Sequence, residues 1–462
     1  MGSSRILGQN QNHLPGLIQV CRNNMIYLLA LILRLPIMTS SLWLDESIQA
    51  LALMGKMGPL LTYALSDFQP PIYHLILSAW TSLVGFSEFA LRTPSLLAGL
   101  GTVYFGRKLA SALNKKAGTI AGLLLATNPL LIYYSAEGRT YMMTTFFVTA
   151  SFYYLLSLLV SQKRHKLLAI CYMLSTMFAL WSSYLAWIII FFQLAYVVSQ
   201  KKWQLTRLAF LTFLSLIPWL PSLIDSIGIG LSTMSHSPEW GRVVGGISGK
   251  AIALTWVKAV IGRISFTNKY LYAGIIALIA ALHSHILTRV KGKYTLLTVS
   301  IIGTVLFASL ISLVVPIYSY FRLLFLVPLL LTLLALGLSK LPRTVTVLMV
   351  VLNLVFVGIF YLSPAFHHED WRSLTSYLNS QDGIVALPSL AQNAPLRYYN
   401  LHLPLTELKN QELLTTDRVF YIKYVEDIFD TSLQGRANLA EQGYNLVSEQ
   451  TYSGLALSIY EK

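Results

Sequence analysis

Long apolar runs separated by short polar segments recur through the first 362 residues of this 462-residue chain. A helix needs about 20 predominantly apolar residues to cross a bilayer. Runs of that order lie near 24–42, 89–110, 116–134, 139–161, 166–182, 184–199, 205–223, 270–289, 294–315, 320–338 and 342–362, with a shorter run at 70–87. The sequence therefore predicts a polytopic α-helical membrane protein.

Charge is scarce and unevenly distributed. Only 11% of the residues are charged, against about 25% in soluble domains, and 34 Lys and Arg against 19 Asp and Glu give a net charge of +15. The first 362 residues hold 27 of the bases, mostly between apolar runs, where the positive-inside rule places cytoplasmic loops. These clusters lie at 107–116, 163–166, 201–207, 289–293 and 340–343. The pattern explains the basic charge without a nucleic-acid partner.

The same rule divides the chain into a cytoplasmic N-terminus (1–23), a transmembrane domain (24–362) and an external domain (363–462). External loops are predicted at 43–69, which includes a helix lying in the membrane interface, and at 224–268. If 70–87 crossed the membrane fully, the 107–116 bases would lie outside, against the positive-inside rule. Either that run is re-entrant or interfacial, or one span breaks the rule. We therefore predict 11–13 spans.

The external domain alternates helical and strand-like patterns. Residues 371–381 and 438–444 have helical patterns, and 383–389, 418–425 and a final pair within 445–462 resemble strands. This order is typical of a small α/β domain.

Seven acids occur in the first 362 residues, and each can be placed at the external end of a span. They are Asp45, Glu46, Asp67, Glu88, Glu137, Asp225 and Glu239. Ionisable groups near a membrane are costly and are functional candidates by default. One of the adjacent Asp45 and Glu46 could act as a general base beside a departing phosphate. Alternatively, Asp45 caps an interfacial helix and Glu46 lies in its first turn.

Two more external segments carry candidate ligand-binding groups. Two prolines at 70–71 suit the first turn of a helix, and Gln69, Tyr73 and His74 around them could bond a phosphate headgroup. The alternative is a helix start with interfacial aromatic residues. In the turn after residue 135, Arg139 could pair with Glu137 or present its forked guanidinium to a phosphate.

External basic residues need another explanation than the positive-inside rule. Arg322 follows Tyr320 at an external span start, and the 224–268 loop holds Arg242, Lys250, Lys258 and Arg263. They indicate either an anionic ligand or attraction to anionic lipid headgroups.

Metal and cofactor motifs are weak. His283-Ser-His285 lies at a cytoplasmic span end, and 367–370 (HHED) fits a solvated junction better than a ligand set. The sequence has no GxxxxGK[ST] loop, GxSxG elbow or paired CxxC. No cofactor is implied, and nothing in the sequence supports a divalent metal.

Taken in order, the motifs resemble the GT-C superfamily, specifically glycosyltransferase family 39, which includes protein O-mannosyltransferases and lipid A aminoarabinose transferases. The resembling segments are LDES (44–47), DFQPPIYHLILSAW (67–80), SEFALRTPSLLAGL (87–100), NPLLIYYSAEGRTYMM (128–143) and EDWRSLTSYL (369–378). The resemblance is dense over 40–145 and sparse from 165 to 315. The chain departs from the family pattern at Gln69, usually His, and at Gly138, usually Ala.

The resemblance implies an inverting transfer at the periplasmic face of the bacterial inner membrane. A sugar on undecaprenyl or dolichyl phosphate would pass to a glycan, lipid or protein acceptor. Asp45 would be the catalytic base and Glu46 its neighbour in the site. Arg92, Glu137 and Arg139 would organise the site, and Tyr320 and Arg322 would help to bind the lipid phosphate.

Two other classes of protein share some of these features. A lipid or solute transporter would favour inverted repeats and charges near the bilayer midplane, whereas the acids here lie at external span ends. A non-catalytic assembly subunit would not need Asp45. The acids and the external domain together favour an enzyme.

Overall fold

The computed structural model describes residues 24–57, 60–160, 166–236, 246–290, 294–408 and 416–462. The predicted cytoplasmic segment 1–23 and several charged residues fall outside these ranges. Those residues are Lys163, Arg164, Glu239, Arg242, Lys291, Lys293, Lys409 and Glu412.

Apolar helices make up most of the chain up to residue 362. The first are α1 (Asn24–Ile37), α2 (Leu44–Leu53), α3 (Leu60–Ser66), α4 (Ile72–Val84), α5 (Glu88–Leu113), α6 (Lys115–Thr127), α7 (Pro129–Ser135) and α8 (Thr140–Val160). They are followed by α9 (Lys166–Leu180), α10 (Tyr184–Ser199), α11 (Trp203–Leu214), α12 (Leu220–His236), α13 (Gly249–Ile261), α14 (Lys269–Thr288), α15 (Thr295–Ile311), α16 (Leu326–Leu338) and α17 (Arg343–Leu362).

Several of these helices can cross a membrane. Among the described residues, α8, the α11–α12 stretch, α14 and α17 are long and apolar enough, and the bent pair α6–α7 passes the same test as one span. Six shorter apolar helices accompany them. At 13 residues, α4 is only about 20 Å long, short of the ~30 Å hydrocarbon core, which favours a re-entrant or interfacial 70–87. The chain is an integral membrane protein, and the total of 11–13 spans stays a prediction.

The predicted interfacial segment forms two short helices, α2 and α3, rather than one. Much of α2 is buried, because the external domain packs over it through its helix α19 (Ala394–Tyr398). The first external loop therefore lies between the membrane helices and the external domain.

The external domain contains a five-stranded mixed sheet. Its strands are β1 (Ile384–Leu387), β2 (Leu405–Glu407), β3 (Arg418–Lys423), β4 (Asn445–Tyr452) and β5 (Leu455–Glu461), in the order β2-β1-β3-β5-β4. Strands β2, β1 and β3 are parallel, and β5 pairs antiparallel with β3 and β4. The remaining helices are α18 (Trp371–Leu378), α20 (Glu426–Phe429) and α21 (Gln434–Glu441). The predicted helices and strands are confirmed, and β2, α19 and α20 are additions.

Polar contacts join the external domain to the first loop and to α5. The Arg372 guanidinium lies 2.6 Å from the Glu88 carboxylate and donates to the Thr39 carbonyl at 2.8 Å. The Tyr399 hydroxyl accepts from the Leu42 amide at 2.8 Å and donates to Glu88 at 3.1 Å. These contacts hold the external domain over the start of α2.

Candidate active site

The two adjacent carboxylates of the first loop have different surroundings. Helix α2 has Trp43 as its N-cap, and Asp45 and Glu46 lie in its first turn, so Asp45 does not cap the helix. Successive helical residues are about 100° apart around the axis. Glu46 therefore points into the protein, where its side chain is 1% exposed, whereas the Asp45 side chain is 36% exposed.

Both carboxylate oxygens of Glu46 are occupied. Arg92 of α5 donates from Nε to Oε1 at 2.9 Å and from Nη2 to Oε2 at 2.6 Å. The Gly138 amide also donates to Oε1, at 2.6 Å. Arg92 further donates to the carbonyls of Ser40 at 2.6 Å and Ser41 at 3.0 Å. This bidentate pair fixes α2, α5 and the turn before α8 relative to one another.

Asp45 faces Arg139, the basic residue of the turn before α8. Its Oδ2 lies 3.6 Å from Nη2 of Arg139, just before α8. Among the described residues, Arg139 forms an ion pair only with Asp45, so most of its N–H donors remain available. Asp45 is thus a partly exposed carboxylate beside an Arg139 side chain that is only 15% exposed.

The segment before α4 holds a second polar group of residues. His74 Nε2 lies 2.8 Å from Oδ2 of Asp67, and Gln49 Nε2 lies 3.2 Å from His74 Nδ1. With the amide nitrogen of Gln49 facing Nδ1, the ring proton is on Nε2 and is donated to Asp67. Burial raises the pKa of Asp67, but the His74 hydrogen bond and the charge of Arg139 outweigh it and lower that pKa overall.

The residues predicted to bind a headgroup here are mostly enclosed. Tyr73 and His74 are only 1% and 2% exposed, and the Tyr73 hydroxyl lies 3.4 Å from Ser95 Oγ. Gln69 Oε1 is buried with no hydrogen-bond partner in the described part of the chain. The charge of Asp67 is linked to that of Arg139.

A helix break positions the turn that carries Glu137 and Arg139. Helices α6 and α7 meet at 59°, because Pro129 has no N–H to donate to the Leu125 carbonyl. The buried Arg34 replaces that donor: it donates to the carbonyls of Leu125 at 3.3 Å and Ala126 at 3.0 Å. It also donates to Ser135 Oγ at 3.0 Å, so one cation fixes both sides of the break.

Glu137 lies where the external domain meets this turn. His368 is stacked on Trp43, with ring centroids 5.2 Å apart, and its Nε2 lies 3.8 Å from Oε2 of Glu137. Arg263 donates to the Tyr133 hydroxyl, which lies 2.5 Å from His368 Nε2. His368 has a 6% exposed side chain, so the solvated junction predicted for 367–370 is wrong at this residue.

Burial controls the protonation of this cluster. Burial, and then the nearby charge of Glu46, raise the pKa of Glu137 to about 8. Burial and the charges of Arg263 and Arg92 hold the pKa of His368 well below its usual range. Near neutral pH the Glu137 carboxyl is therefore largely protonated and the His368 ring is neutral.

The other predicted basic groups are placed in different ways. Lys258 donates to the carbonyls of Arg263 at 3.2 Å and Ile264 at 3.1 Å, and Lys250 is exposed at the start of α13. Arg322 donates to the Ile317 carbonyl at 3.3 Å. The like charge of Arg139 acts on Arg322.

Tyr320 belongs to the Tyr133 side of the site. Its phenol contributes to the electrostatic environment of Tyr133, Tyr134 and Arg263. Of the predicted residues, Asp45, Arg139 and Arg322 are thus electrostatically linked, and so are Glu137, Arg263 and Tyr320.

Some residues of the site carry no clear sequence signal. Trp43 and Tyr133 are aromatic residues at span ends, where aromatic side chains are common. Arg34 does carry a sequence signal, since it is the only charged residue within the 24–42 apolar run. Among the described residues, no group of three His, Cys, Asp or Glu side chains is placed to hold a metal.

Comparisons with known proteins identify the fold. A family model described as dolichyl-phosphate-mannose-protein mannosyltransferase matches residues 68–224. A sequence comparison with curated proteins finds no match.

Solved structures match nearly the whole chain. ArnT from Cupriavidus metallidurans in the apo state is 12% identical with a TM-score of 0.60, covering 96% of this chain and 97% of ArnT. The same protein bound to undecaprenyl phosphate is 12% identical with a TM-score of 0.57, and the match covers 97% of this chain and 98% of ArnT. The oligosaccharyltransferase AglB from Archaeoglobus fulgidus is 12% identical with a TM-score of 0.53, and the match covers 95% of this chain and 74% of AglB. That structure is a complex with an inhibitory peptide and a dolichol-phosphate.

The family-model match supports the resemblance to GT-C glycosyltransferases over residues 68–224, and the solved structures show that the chain has the fold of ArnT. The predicted fold class, a polytopic helical domain with a small C-terminal α/β domain, is confirmed, and the external position of that domain stays a prediction. The prediction of a glycosyltransferase is confirmed as well.

Replacing Arg92 by Met should strongly destabilise the protein, because it leaves the Glu46 carboxylate buried without its cation. Breaking a buried ion pair costs about 3–5 kcal/mol, which thermal unfolding of the purified protein in detergent would detect. The double variant Glu46→Gln/Arg92→Met keeps an acceptor for the Gly138 amide without the charge, and should recover much of the loss. A wild-type unfolding temperature for Arg92→Met alone would contradict the structural role of the pair.

Replacing Glu137 by Gln should change how stability depends on pH. The folded protein binds the Glu137 proton more tightly than the unfolded chain, so this group's contribution to stability is lost as pH rises from about 4.5 to about 8. The unfolding temperature of Glu137→Gln should therefore exceed that of wild type by a margin that grows across this range. Glu441→Gln, at an exposed position of α21, is the control, and a margin independent of pH would refute the assignment.

Proposed function

We propose that this glycosyltransferase moves a sugar from a polyprenyl-phosphate donor to an acceptor at the external face of the membrane, with inversion at the anomeric carbon. In a bacterium this is the periplasmic face of the inner membrane. The undecaprenyl phosphate bound to ArnT and the dolichol-phosphate bound to AglB support this class of donor. The acceptor is a glycan, lipid or protein.

The observation that carries the proposal is the contrast between the two adjacent carboxylates. Glu46 is buried and bound on both oxygens, so it acts as a positioning residue. Asp45 is accessible, with Arg139 as its ion-pair partner. A general base must reach the proton that it removes, and Asp45 meets that condition better than Glu46.

Two arginines suit the phosphate of the donor. Arg139 and Arg322 act electrostatically on each other and on Asp45 and Asp67. An anion between two guanidinium groups relieves their repulsion, and arginine is well suited to bind phosphate in a bidentate manner. The donor phosphate would lie beside Asp45 in this arrangement.

The reaction then needs one base and several hydrogen-bond donors. The acceptor oxygen forms a bond to the anomeric carbon as the bond from that carbon to the phosphate oxygen breaks. The lipid phosphate leaves with the bonding electrons and is stabilised by Arg139 and Arg322. Asp45 takes the proton of an acceptor hydroxyl, and the leaving phosphate needs little acid catalysis because it departs as an anion.

The replacement Asp45→Asn should abolish transfer while leaving the protein folded, because the carboxylate is exposed. A lost general base typically lowers a rate by about 10²–10⁴-fold. A strain that lacks the chain would be complemented with wild type or variant, and its envelope glycans, lipids and glycoproteins compared by mass spectrometry. Wild type should restore a sugar-bearing species that Asp45→Asn does not.

Asp225→Asn, at an exposed carboxylate of α12, is the matched control and should restore that species at equal protein levels in the membrane. Full restoration by Asp45→Asn would overturn the assignment of the base. The family of enzymes would be unaffected by that result.

The replacements Arg139→Gln and Arg322→Gln should each weaken binding of undecaprenyl phosphate by roughly 10- to 100-fold, because a hydrogen bond to a charged group contributes about 1.5–3 kcal/mol. Native mass spectrometry of the detergent-solubilised protein would measure the change. Arg343→Gln removes an exposed charge at the start of α17 and serves as the control. Unchanged binding by both site variants would exclude these arginines as the phosphate site.

A further inference from the structure

An apolar groove lies between α1 and α5, on residues that the catalytic proposal does not use. It has a volume of about 470 Å³ and is lined by Tyr27, Leu28, Leu31, Leu100, Gly101 and Tyr104. Leu28 and Tyr104 are 56% and 42% exposed. Helices α1 and α5 run antiparallel. Tyr27 and Tyr104 therefore line one end of the groove, and Leu31 and Leu100 line the other.

Two cations lie on the tyrosine end. The Arg107 guanidinium carbon is 6.0 Å from the centroid of the Tyr27 ring, and Lys108 Nζ is 5.6 Å from that of the Tyr104 ring. Arg107 also donates to the Tyr27 hydroxyl at 3.0 Å. Its Nε is buried and has no hydrogen-bond partner among the described residues.

The predicted topology places this end at the cytoplasmic surface. Arg107 and Lys108 belong to the 107–116 cluster, where the positive-inside rule locates a cytoplasmic loop. Anionic lipids of the cytoplasmic leaflet are attracted to basic groups at this depth. An apolar groove that ends at two cations matches an acyl chain that ends at a phosphate.

We propose that this groove is a binding site for an anionic phospholipid of the cytoplasmic leaflet. The lipid phosphate accepts hydrogen bonds from Arg107 and Lys108, while an acyl chain lies over Leu28, Leu31 and Leu100. The site holds a structural lipid at the membrane face opposite the predicted catalytic residues, and it does not depend on the identity of the donor or the acceptor.

The test compares two phospholipids that have the same acyl chains and different headgroups. Delipidated full-length protein in detergent would be titrated with phosphatidylglycerol or with phosphatidylcholine, and bound lipid counted by native mass spectrometry. Wild type should bind the first phosphatidylglycerol at least tenfold more tightly than phosphatidylcholine. Equal binding of the two lipids would overturn the proposal.

Variants locate the site. Arg107→Gln/Lys108→Gln should lose the tenfold preference, whereas Lys115→Gln/Lys116→Gln, which removes two exposed charges of the same cluster, should keep it. Leu28→Trp, which fills the groove, should weaken binding of both lipids. Unfolding temperatures would verify that each variant is folded.

Three results contradict the proposal. The first is a preference retained in Arg107→Gln/Lys108→Gln. The second is an equal loss in the Lys115/Lys116 variant, which would indicate diffuse attraction to the cluster. The third is unchanged lipid binding by a folded Leu28→Trp variant, which would place the lipid outside the groove.

Discussion

The buried pair between Glu46 and Arg92 is the interaction on which the candidate site depends. It joins the first helical turn after the first span to α5, and through the Gly138 amide it also joins the turn before α8. An ion pair in this setting contributes more to geometry than to net stability, because desolvation offsets much of the attraction. Its consequence is that the preceding residue of α2, Asp45, is held in an accessible position beside Arg139.

A second buried cation, Arg34, stabilises the helix break that positions the same turn. Arg34 satisfies backbone carbonyls that the Pro129 break leaves without donors, and the external domain closes over the turn through His368 and Trp43. The site is therefore built from four parts of the chain that are distant in sequence. The membrane helices fix the carboxylates and the arginines, and the external domain buries Glu137.

Sequence reasoning predicts the class of fold well, because apolar run length and basic clusters depend on the bilayer rather than on detailed packing. The scarcity of charge also singles out Asp45, Glu137 and Arg139 as site candidates, and the family resemblance adds Arg92; their catalytic roles stay predictions. The residues by themselves do not separate the roles of Asp45 and Glu46, which only the family resemblance distinguishes, because the difference in their surroundings arises when Arg92 packs against Glu46. Likewise, α19 and the His368 contacts depend on tertiary packing, which local patterns do not encode.

The central claim is that Glu46 positions the site while Asp45 and the two arginines face the donor. The most direct measurement is a cryo-electron microscopy structure of the full-length protein with undecaprenyl phosphate in a lipid nanodisc. We expect the phosphate in contact with Arg139 and Arg322, close to Asp45, with Glu46 still bound to Arg92. A phosphate bound away from these arginines, or a Glu46 carboxylate released from Arg92 to face the ligand, would contradict it.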